Sequence, residues 1–147
     1  MIELLPLQME HCEAVAGIAE QSIPEHWSLQ GIRDVLRYDN NIYFVARHRR
    51  EQIIVGFAGI MVIADEAELL NIAVHPSYRG AGIGMQLLDK VIAEASRKQA
   101  VRLLLEVRKS NEVAIRLYQN RQFTKLGERK GYYSNPTEDA IIMERML

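Results

Sequence analysis

The chain has 147 residues and a net charge of −1, with 48% hydrophobic and 25% charged residues, a composition typical of a soluble globular protein. This length predicts one domain, spanning residues 1–147, with a substantial core. The absence of net positive charge argues against general nucleic-acid binding. No apolar run reaches the roughly 18 residues that a membrane span requires.

The residue types that form disulfides and bind metals are sparse. Cys12 is the single cysteine, so no internal disulfide can form, which fits a reducing compartment. The N-terminal segment carries no basic stretch followed by a long apolar one, and we therefore expect a cytoplasmic protein. One cysteine and four histidines show no metal-ligand spacing, so no bound metal is expected.

The N-terminal third predicts a strand followed by two helices. Residues 2–7 are expected to form the strand, and residues 9–22 a modest amphipathic helix that Pro24 ends. Ser28 is suited to cap a second helix over residues 29–37.

The second helix and the tryptophan before it are expected to contribute to the core. The apolar residues of this helix that should face inward are Ile32, Val35 and Leu36. For Trp27, the single tryptophan, core packing is favoured over a place in a substrate cleft.

The middle of the chain predicts an antiparallel meander. Its three strands should span residues 41–47, 53–64 and 65–74, with short polar turns between them. The second strand is almost wholly apolar, which predicts that both of its faces are buried.

A glycine-rich loop follows the meander and leads into a helix that ends near Arg97. Gly80, Gly82 and Gly84 are three glycines in five residues. Such a loop at a helix N-terminus presents backbone amides and the positive end of the helix dipole to a phosphate. The pattern fits neither the nucleotide P-loop, which needs Lys-Ser/Thr after its last glycine, nor the dinucleotide fingerprint.

The C-terminal third completes an α/β fold. Residues 101–107 predict a strand parallel to the last strand of the meander, because a helix joins them. A helix begins after Ser110 or Asn111, and residues 123–133 and 139–147 predict two closing antiparallel strands. We therefore expect a mixed, mostly antiparallel sheet of about seven strands with helices on both faces. The last helix is expected to direct these residues towards the core: Val113, Leu117 and Tyr118.

Two residues are candidates for acid–base chemistry. Glu106 lies in an apolar strand, where an unpaired carboxylate is costly to bury. It is either paired with Arg102, Arg108 or another base, or it acts as a general base. Tyr118 on the following helix either packs inward or acts from the edge of the core. Both interpretations of each residue remain open from the residues alone.

Taken together, these segments resemble the GCN5-related N-acetyltransferase (GNAT) superfamily. Its signature, Arg/Gln-x-x-Gly-x-Gly/Ala at the start of a helix, matches Arg79 to Gly84. The meander, the βαβ unit, the helix with Asn111 and Tyr118, and the terminal strand pair match in order over essentially the whole chain. The family usually has glycine where this chain has Gln122, a departure that would alter the end of that helix.

Three segments resemble more closely the bacterial ribosomal-protein-alanine N-acetyltransferases. They are EAELLNIAV, LLLEVRKSNEVAIRLY and GYYSNPTEDAIIM. The resemblance implies transfer of acetyl from acetyl-CoA, without a metal, to the N-terminal α-amine of a small-subunit ribosomal protein. We expect a monomer or weak homodimer. Acetylation of a small-molecule amine or a protein lysine is the alternative, and a non-catalytic acyl-CoA-binding module is a third.

The resemblance also assigns residues to roles. Glu106 would accept the proton and Tyr118 would donate one. The residues implied in cofactor binding are Ile72, Ala73, Val74, Arg79, Gly80, Ala81, Gly82, Ile83, Gly84, Met85 and Asn111.

Acidic residues at the ends of the strands suggest a substrate-binding surface. We hypothesise that they gather at the substrate mouth and attract a basic peptide N-terminus, the alternative being ordinary solvated turns. The acidic residues are Asp65, Glu66, Glu68, Glu138 and Asp139. The candidate substrate-binding residues are Glu66, Glu68, Tyr132 and Asp139.

Overall fold

The computed structural model describes residues 1–23 and 27–147. They form one sheet with the strand order β1-β2-β3-β4-β5-β7-β6. The strands are β1 (Ile2–Pro6), β2 (Asn41–His48), β3 (Ile53–Ile63), β4 (Glu66–Val74), β5 (Arg102–Arg108), β6 (Thr124–Tyr133) and β7 (Glu138–Met146). β4 and β5 pair in parallel, and the other neighbours pair antiparallel. The predicted mixed, mostly antiparallel sheet with a βαβ unit is therefore confirmed.

Helices connect the strands. They are α1 (Cys12–Ser22), α2 (Leu29–Val35), α3 (Ile83–Arg97) and α4 (Glu112–Gln119). The predicted first helix begins with a 3₁₀ turn over Met9–His11, and a second 3₁₀ turn, Pro76–Tyr78, precedes the glycine-rich loop. Pro24, which was predicted to end the first helix, lies outside the described residues.

Side-chain caps start two of the helices. The Ser28 hydroxyl accepts a hydrogen bond of 3.0 Å from the amide of Gly31, as predicted. Asn111 Oδ1 accepts one of 3.2 Å from the amide of Ala114. Asn111 is therefore the cap of α4, because its side chain satisfies an amide that has no partner within the helix.

Two apolar cores lie on opposite faces of the sheet. α3 buries Leu87, Leu88 and Val91 against one face, and Tyr118 of α4 belongs to the same core. α1 buries Val15 and Ile18, and α2 buries Ile32, against the other face. Helices therefore cover both faces, as predicted.

Three apolar side chains on or next to the short helices were predicted to lie in the core, and one of them does. Trp27 packs into the second core, with its ring centroid 5.5 Å from that of Tyr43. Leu36 and Val113 were expected to face the core and are 39% and 80% exposed. α2 ends at Val35, so Leu36 is past the helix, and Val113 lies in the first turn of α4 on the side away from Tyr118.

A β-bulge changes the direction of the side chains along β4. Gly59 of β3 pairs with Asn71 and Ile60 pairs with Leu69, so Leu70 is the extra residue. Before the bulge, Leu69 faces the α3 core. Beyond it, Ala73 faces the α1 core. An inserted residue shifts the two-residue alternation by one, so polar and apolar positions exchange faces.

The parallel pair β4–β5 separates soon after it begins. The ladder joins three residue pairs, from Glu66–Arg102 to Glu68–Leu104. Beyond Glu68, β4 keeps its pairing with β3 up to Val74 but has no ladder with β5 over the described residues. A gap therefore opens in the sheet between the C-terminal halves of the two strands.

Gln122 has a left-handed backbone conformation of the kind that glycine usually adopts. Its φ is +64°, in the left-handed region that glycine favours. The amide of Phe123 donates a 3.1 Å hydrogen bond to the carbonyl of Tyr118, which closes the end of α4. The expectation that glutamine would alter this helix end stays a prediction, and Gln122 adopts the left-handed conformation that glycine favours.

Candidate active site

A cleft of about 660 Å³ occupies the gap between β4 and β5. Polar side chains from β4, β5, β6 and α4 converge on it. The residues lining it are Ile23, Glu68, Leu69, Leu70, Asn71, Ile72, Glu106, Val107, Arg108, Asn111, Tyr118, Tyr132, Tyr133 and Ser134. The candidate acid and base, Glu106 and Tyr118, are both in this set.

Glu68 and Glu106 approach the cleft from the same face of the sheet. Leu105 and Val107, the neighbours of Glu106, are buried in the α3 core, so the carboxylate of Glu106 points to the α1 side. The same alternation on β4, with Leu69 in the α3 core, directs Glu68 to the α1 side. Two carboxylates therefore share one wall of the cleft.

Glu106 has an arginine partner that the sequence did not identify. Nε of Arg129, on β6, lies 2.8 Å from Oε2 of Glu106. The two arginines proposed as partners are engaged elsewhere: Arg102 binds Glu66 at 2.8 Å, and Arg108 binds Glu138 at 3.1 Å. The pairing interpretation therefore holds through its third option, another base, which is Arg129 and neither Arg102 nor Arg108.

The pKa values of two residues in this wall, Glu68 and Tyr132, are raised. Burial raises the pKa of Glu68, the negative charge of Glu106 raises it further, and Arg129 opposes both effects. Burial also raises the pKa of the Tyr132 phenol, with a further contribution from the charge of Glu106 and a hydrogen bond to it. The phenol therefore remains protonated beside the carboxylates at neutral pH.

Tyr118 reaches the cleft from the opposite face of the sheet. Its side chain is 5% exposed, within the α3 core, and its ring centroid lies 5.7 Å from that of Phe123. Burial, with a smaller contribution from Tyr133, raises the pKa of the Tyr118 phenol. A neutral phenol in this position can donate a proton, whereas the carboxylates across the gap can accept one.

The unpaired edge of β4 leads from the cleft towards the glycine-rich loop. Ile72, Ala73 and Val74 pair with β3 on one side only, and Ile72 lines the cleft. Arg79 donates from Nε to the carbonyl of Val74 and from a terminal nitrogen to the Ser22 hydroxyl, each at 3.1 Å. Arg79 therefore links the loop, the end of β4 and the end of α1.

The glycine-rich loop leaves open space in front of the N-terminus of α3. Gly80 and Gly82 have φ of +84° and +78°, and a Cβ on either would meet no atom within 4 Å. The space before the first turn of α3 is thus open. The amides of residues 83–85 begin this helix and have no acceptor within it. Ala81, Ile83, Gly84 and Met85 complete the segment predicted to bind a pyrophosphate.

Asn111 lies at the cleft with one end of its side-chain amide already bonded. Its Oδ1 is occupied by the cap of α4, and the residue lines the cleft. The amide nitrogen is therefore the end of the side chain that remains for a ligand.

The five acidic residues of the hypothesised substrate mouth are not brought together. Asp65 and Glu66 stand at the start of β4, whereas Glu138 and Asp139 lie beside the far end of β5. The reason is topological: β4 is parallel to β5, and β7 is antiparallel to it. Glu68 alone among the five lines the cleft.

The four candidate substrate-binding residues divide in the same way. Glu68 and Tyr132 line the cleft. Glu66 is bound to Arg102, and Asp139 Oδ1 accepts a 2.9 Å hydrogen bond from the amide of Gly131. Glu66 and Asp139 therefore have structural partners outside the cleft.

Sequence reasoning missed several residues of the site, among them Asn71, Arg129 and Tyr133. Asn71 was visible as the one polar residue within the apolar run LLNIAV. Arg129 lies on an exposed strand, and its contact with Glu106 depends on the register of β6, which no local pattern indicates.

Among residues 1–23 and 27–147, no group of three His, Cys, Asp or Glu side chains is arranged to hold a metal ion. In the same part of the chain, no helix has the length and apolar character needed to cross a bilayer.

Comparison with known proteins gives consistent matches. Residues 7–123 match the model of the acetyltransferase (GNAT) family. The [ribosomal protein bS18]-alanine N-acetyltransferase of Haemophilus influenzae is 42% identical over 92% of this chain and 94% of its own length. The crystal structure of the ribosomal-protein-alanine N-acetyltransferase from Escherichia coli is 32% identical, with a TM-score of 0.90, and covers 99% of this chain and 94% of that one.

A more distant structure shares the fold alone. Arabidopsis thaliana NAA60 in complex with acetyl-CoA is 18% identical, with a TM-score of 0.90 over 100% of this chain and 99% of that chain.

Proposed function

The chain belongs to the acetyltransferase (GNAT) family, and on that premise we propose that it transfers acetyl from acetyl-CoA to the N-terminal α-amine of a ribosomal protein that begins with alanine. The names of relatives that align with nearly the whole chain support this substrate. Ribosomal proteins are made in the cytoplasm, so we also propose that the protein acts there.

The observation that carries the proposal is the two-sided cleft. Carboxylates of Glu68 and Glu106 stand on one side of the gap in the sheet, and the buried phenol of Tyr118 stands on the other. Acetyl transfer to an amine needs a proton acceptor on the amine side and a proton donor on the side of the leaving group. The gap separates these two functions while keeping both within one cavity.

Acetyl-CoA fits the remainder of the site. Its pyrophosphate would lie on the amides of residues 80–85, where the open space and the helix N-terminus favour an anion. Its pantetheine arm would pair with the unpaired edge of β4 at Ile72–Val74 in the manner of an added strand. The amide nitrogen of Asn111 and the guanidinium of Arg79 would be further donors. Bound in this way, acetyl-CoA supplies an activated acetyl thioester.

In the proposed reaction, residues of this chain accept and donate the protons. Glu106 takes the proton of the attacking amine, directly or through water, and Tyr118 gives its phenolic proton to the departing thiolate. Glu68 adds a second negative charge that favours binding of an ammonium group. Arg129 holds Glu106 in the free protein, and the ammonium group of the substrate takes its place.

An α-amine suits this arrangement better than a lysine. The pKa of a protein α-amine is about 7.7–8.0, against about 10.4 for lysine, so near neutral pH a far larger fraction of α-amines is already neutral. A carboxylate base therefore needs no extreme shift to complete the deprotonation.

The test is a peptide panel analysed by mass spectrometry. The protein is incubated with acetyl-CoA and with peptides that begin with alanine or serine, with N-blocked peptides that contain lysine, and with polyamines. Acetylation at the α-amine of the alanine peptide is expected. Acetylation confined to the blocked lysine peptides or to the polyamines would refute the proposal and favour the alternative acceptors.

A further inference from the structure

A polar side chain that acid–base chemistry leaves unused faces the same cleft. Asn71 lies immediately after the bulged residue Leu70 and lines the cleft with Glu68 and Glu106. Its Oδ1 accepts a hydrogen bond of 2.6 Å from the hydroxyl of Tyr43. Because the bulge reverses the alternation of β4, Asn71 lies on the same sheet face as the two carboxylates.

Tyr43 reaches Asn71 across a glycine. Tyr43 on β2 pairs with Gly59 on β3, and Gly59 pairs with Asn71 on β4, so the three residues form one row across the sheet. A Cβ on Gly59 would lie 2.1 Å from a carbon of the Tyr43 ring. Glycine therefore leaves the space that the ring occupies, and Trp27 packs against that ring.

This hydrogen bond decides which end of the Asn71 amide faces the cleft. Tyr43 is buried, and burial raises the pKa of its phenol, so the hydroxyl remains a donor. The bonded Oδ1 is thus held on the side of the core. The NH₂ group, with two N–H donors, is the end left for a ligand.

Building on the function proposed above, we propose that Asn71 determines specificity by donating a hydrogen bond to the first carbonyl oxygen of the peptide substrate. Tyr43 is the positioning residue that orients this amide. In a peptide, one carbon separates the α-amine from that carbonyl, so an amine held at Glu106 brings the carbonyl beside a neighbouring side chain. Carboxylates repel a carbonyl oxygen, whereas the NH₂ of Asn71 binds it.

The hydrogen bond from Asn71 would make the enzyme prefer protein N-termini over other amines. A lysine side chain or a polyamine carries no carbonyl at this distance from its nitrogen, so it would leave the Asn71 donors without an acceptor. A polar group built to bind a substrate atom discriminates strongly against analogues that lack that atom. Asn71 therefore gives the cleft a means of selecting a peptide terminus that the two carboxylates alone cannot supply.

The test compares two acceptors that differ in one atom group. One is a peptide beginning with alanine, and the other is its (E)-alkene isostere, in which the first amide, including its carbonyl, is replaced. The wild-type protein is expected to prefer the amide in kcat/KM by roughly 10- to 100-fold. Asn71→Ala should lose most of this preference by slowing the amide peptide alone, and Tyr43→Phe should lose part of it, mainly through KM.

Two further variants test whether the preference depends on the N–H donors of Asn71. Asn71→Asp keeps the acceptor for Tyr43 and removes the donors, so it should lose the preference, and its added carboxylate beside Glu68 and Glu106 should also lower the melting temperature at neutral pH. Asn40→Ala, at an exposed turn residue, should keep the preference.

Three outcomes would overturn the inference. An equal loss on both acceptors would assign Asn71 a structural role. A weakened Kd for acetyl-CoA with the preference intact would assign its amide to the cofactor. If the wild-type protein acetylates neither peptide and acts on lysine instead, the proposed function fails and the inference fails with it. This outcome is seen in the wild type, whereas the other two are seen in the Asn71 variants.

Discussion

Nε of Arg129 lies 2.8 Å from Oε2 of Glu106, so the proposed base of the cleft forms an ion pair with a guanidinium. The arginine side chain is 60% exposed and the glutamate side chain 19%. The cation is thus at the surface and can move, while the carboxylate remains inside the cleft. Arg129 also acts on Glu68 and Tyr132, whose pKa values it lowers against the effects that raise them.

Removing this cation should strengthen substrate binding. In Arg129→Ala, the substrate ammonium no longer competes with a guanidinium for Glu106, so KM for a peptide acceptor should fall several-fold in steady-state assays. Arg50→Ala, on the exposed turn between β2 and β3, makes the same change of charge away from the cleft and should leave KM unaltered. A higher KM in Arg129→Ala would instead indicate that Arg129 binds the acceptor.

The proposed acid and base should be separable from cofactor binding. Glu106→Gln and Tyr118→Phe should each lower kcat by roughly 100- to 10,000-fold with little change in the Kd of acetyl-CoA by calorimetry. Phe123→Leu serves as a control for the packing around Tyr118 and should retain most of the activity. Undiminished turnover in either variant would remove that residue from the mechanism.

Gly82, one of two left-handed glycines in the proposed cofactor loop, should be sensitive to a methyl group. Gly82→Ala places a Cβ in open space at φ of +78°, so its cost is backbone strain of about 1–2 kcal/mol. We expect thermal unfolding at a lower temperature and weaker binding of acetyl-CoA. Gly17 also has open space around its Cβ position but lies within α1, and Gly17→Ala should stabilise by about 0.5–1 kcal/mol. Equal effects of the two variants would contradict the assignment of strain.

Glu68 should lower stability at neutral pH. Its folded-state pKa is raised above the ordinary value of 4.5, so the charged carboxylate is less favourable in the folded chain than in the unfolded one. Stability is therefore greatest below pH 4.5 as far as this group is concerned, and it is lost as the pH rises through the folded-state pKa.

Replacing Glu68 with an uncharged side chain should therefore stabilise the protein at neutral pH. Glu68→Gln should melt at a higher temperature than the wild type at pH 7, and the difference should shrink in acid, where Glu68 is protonated in both states. Glu20→Gln, at an exposed position of α1, makes the same substitution away from the cleft and is the matched control. A Glu68→Gln variant that melts lower at pH 7 would contradict this account.

The long, strongly patterned elements could be predicted from the sequence. α3 repeats apolar residues at helical spacing, and six of them are buried: Ile83, Leu87, Leu88, Val91, Ile92 and Ala95. Short helices were less predictable: Leu36 and Val113 are apolar yet exposed, because one or two turns contain too few residues for periodicity to decide which face is buried.

The partners of the site residues could not be predicted in the same way. The sequence indicated that Glu106 needs a base, but its neighbours on β5 bind other carboxylates and the partner comes from β6. The acidic residues at strand ends looked alike in sequence, and the parallel and antiparallel directions of the strands separate them.

By itself, the sequence determined the order of helices and strands, the glycine-rich loop and the presence of Glu106 and Tyr118, because these depend on spacing between residues near in the chain. Only the tertiary structure decided that Glu106 and Tyr118 line one cleft from opposite faces of the sheet, and that Tyr43 reaches Asn71 across Gly59. Those contacts depend on the register between strands and on one bulged residue, Leu70. A shift of one residue in register moves a side chain to the other face of the sheet.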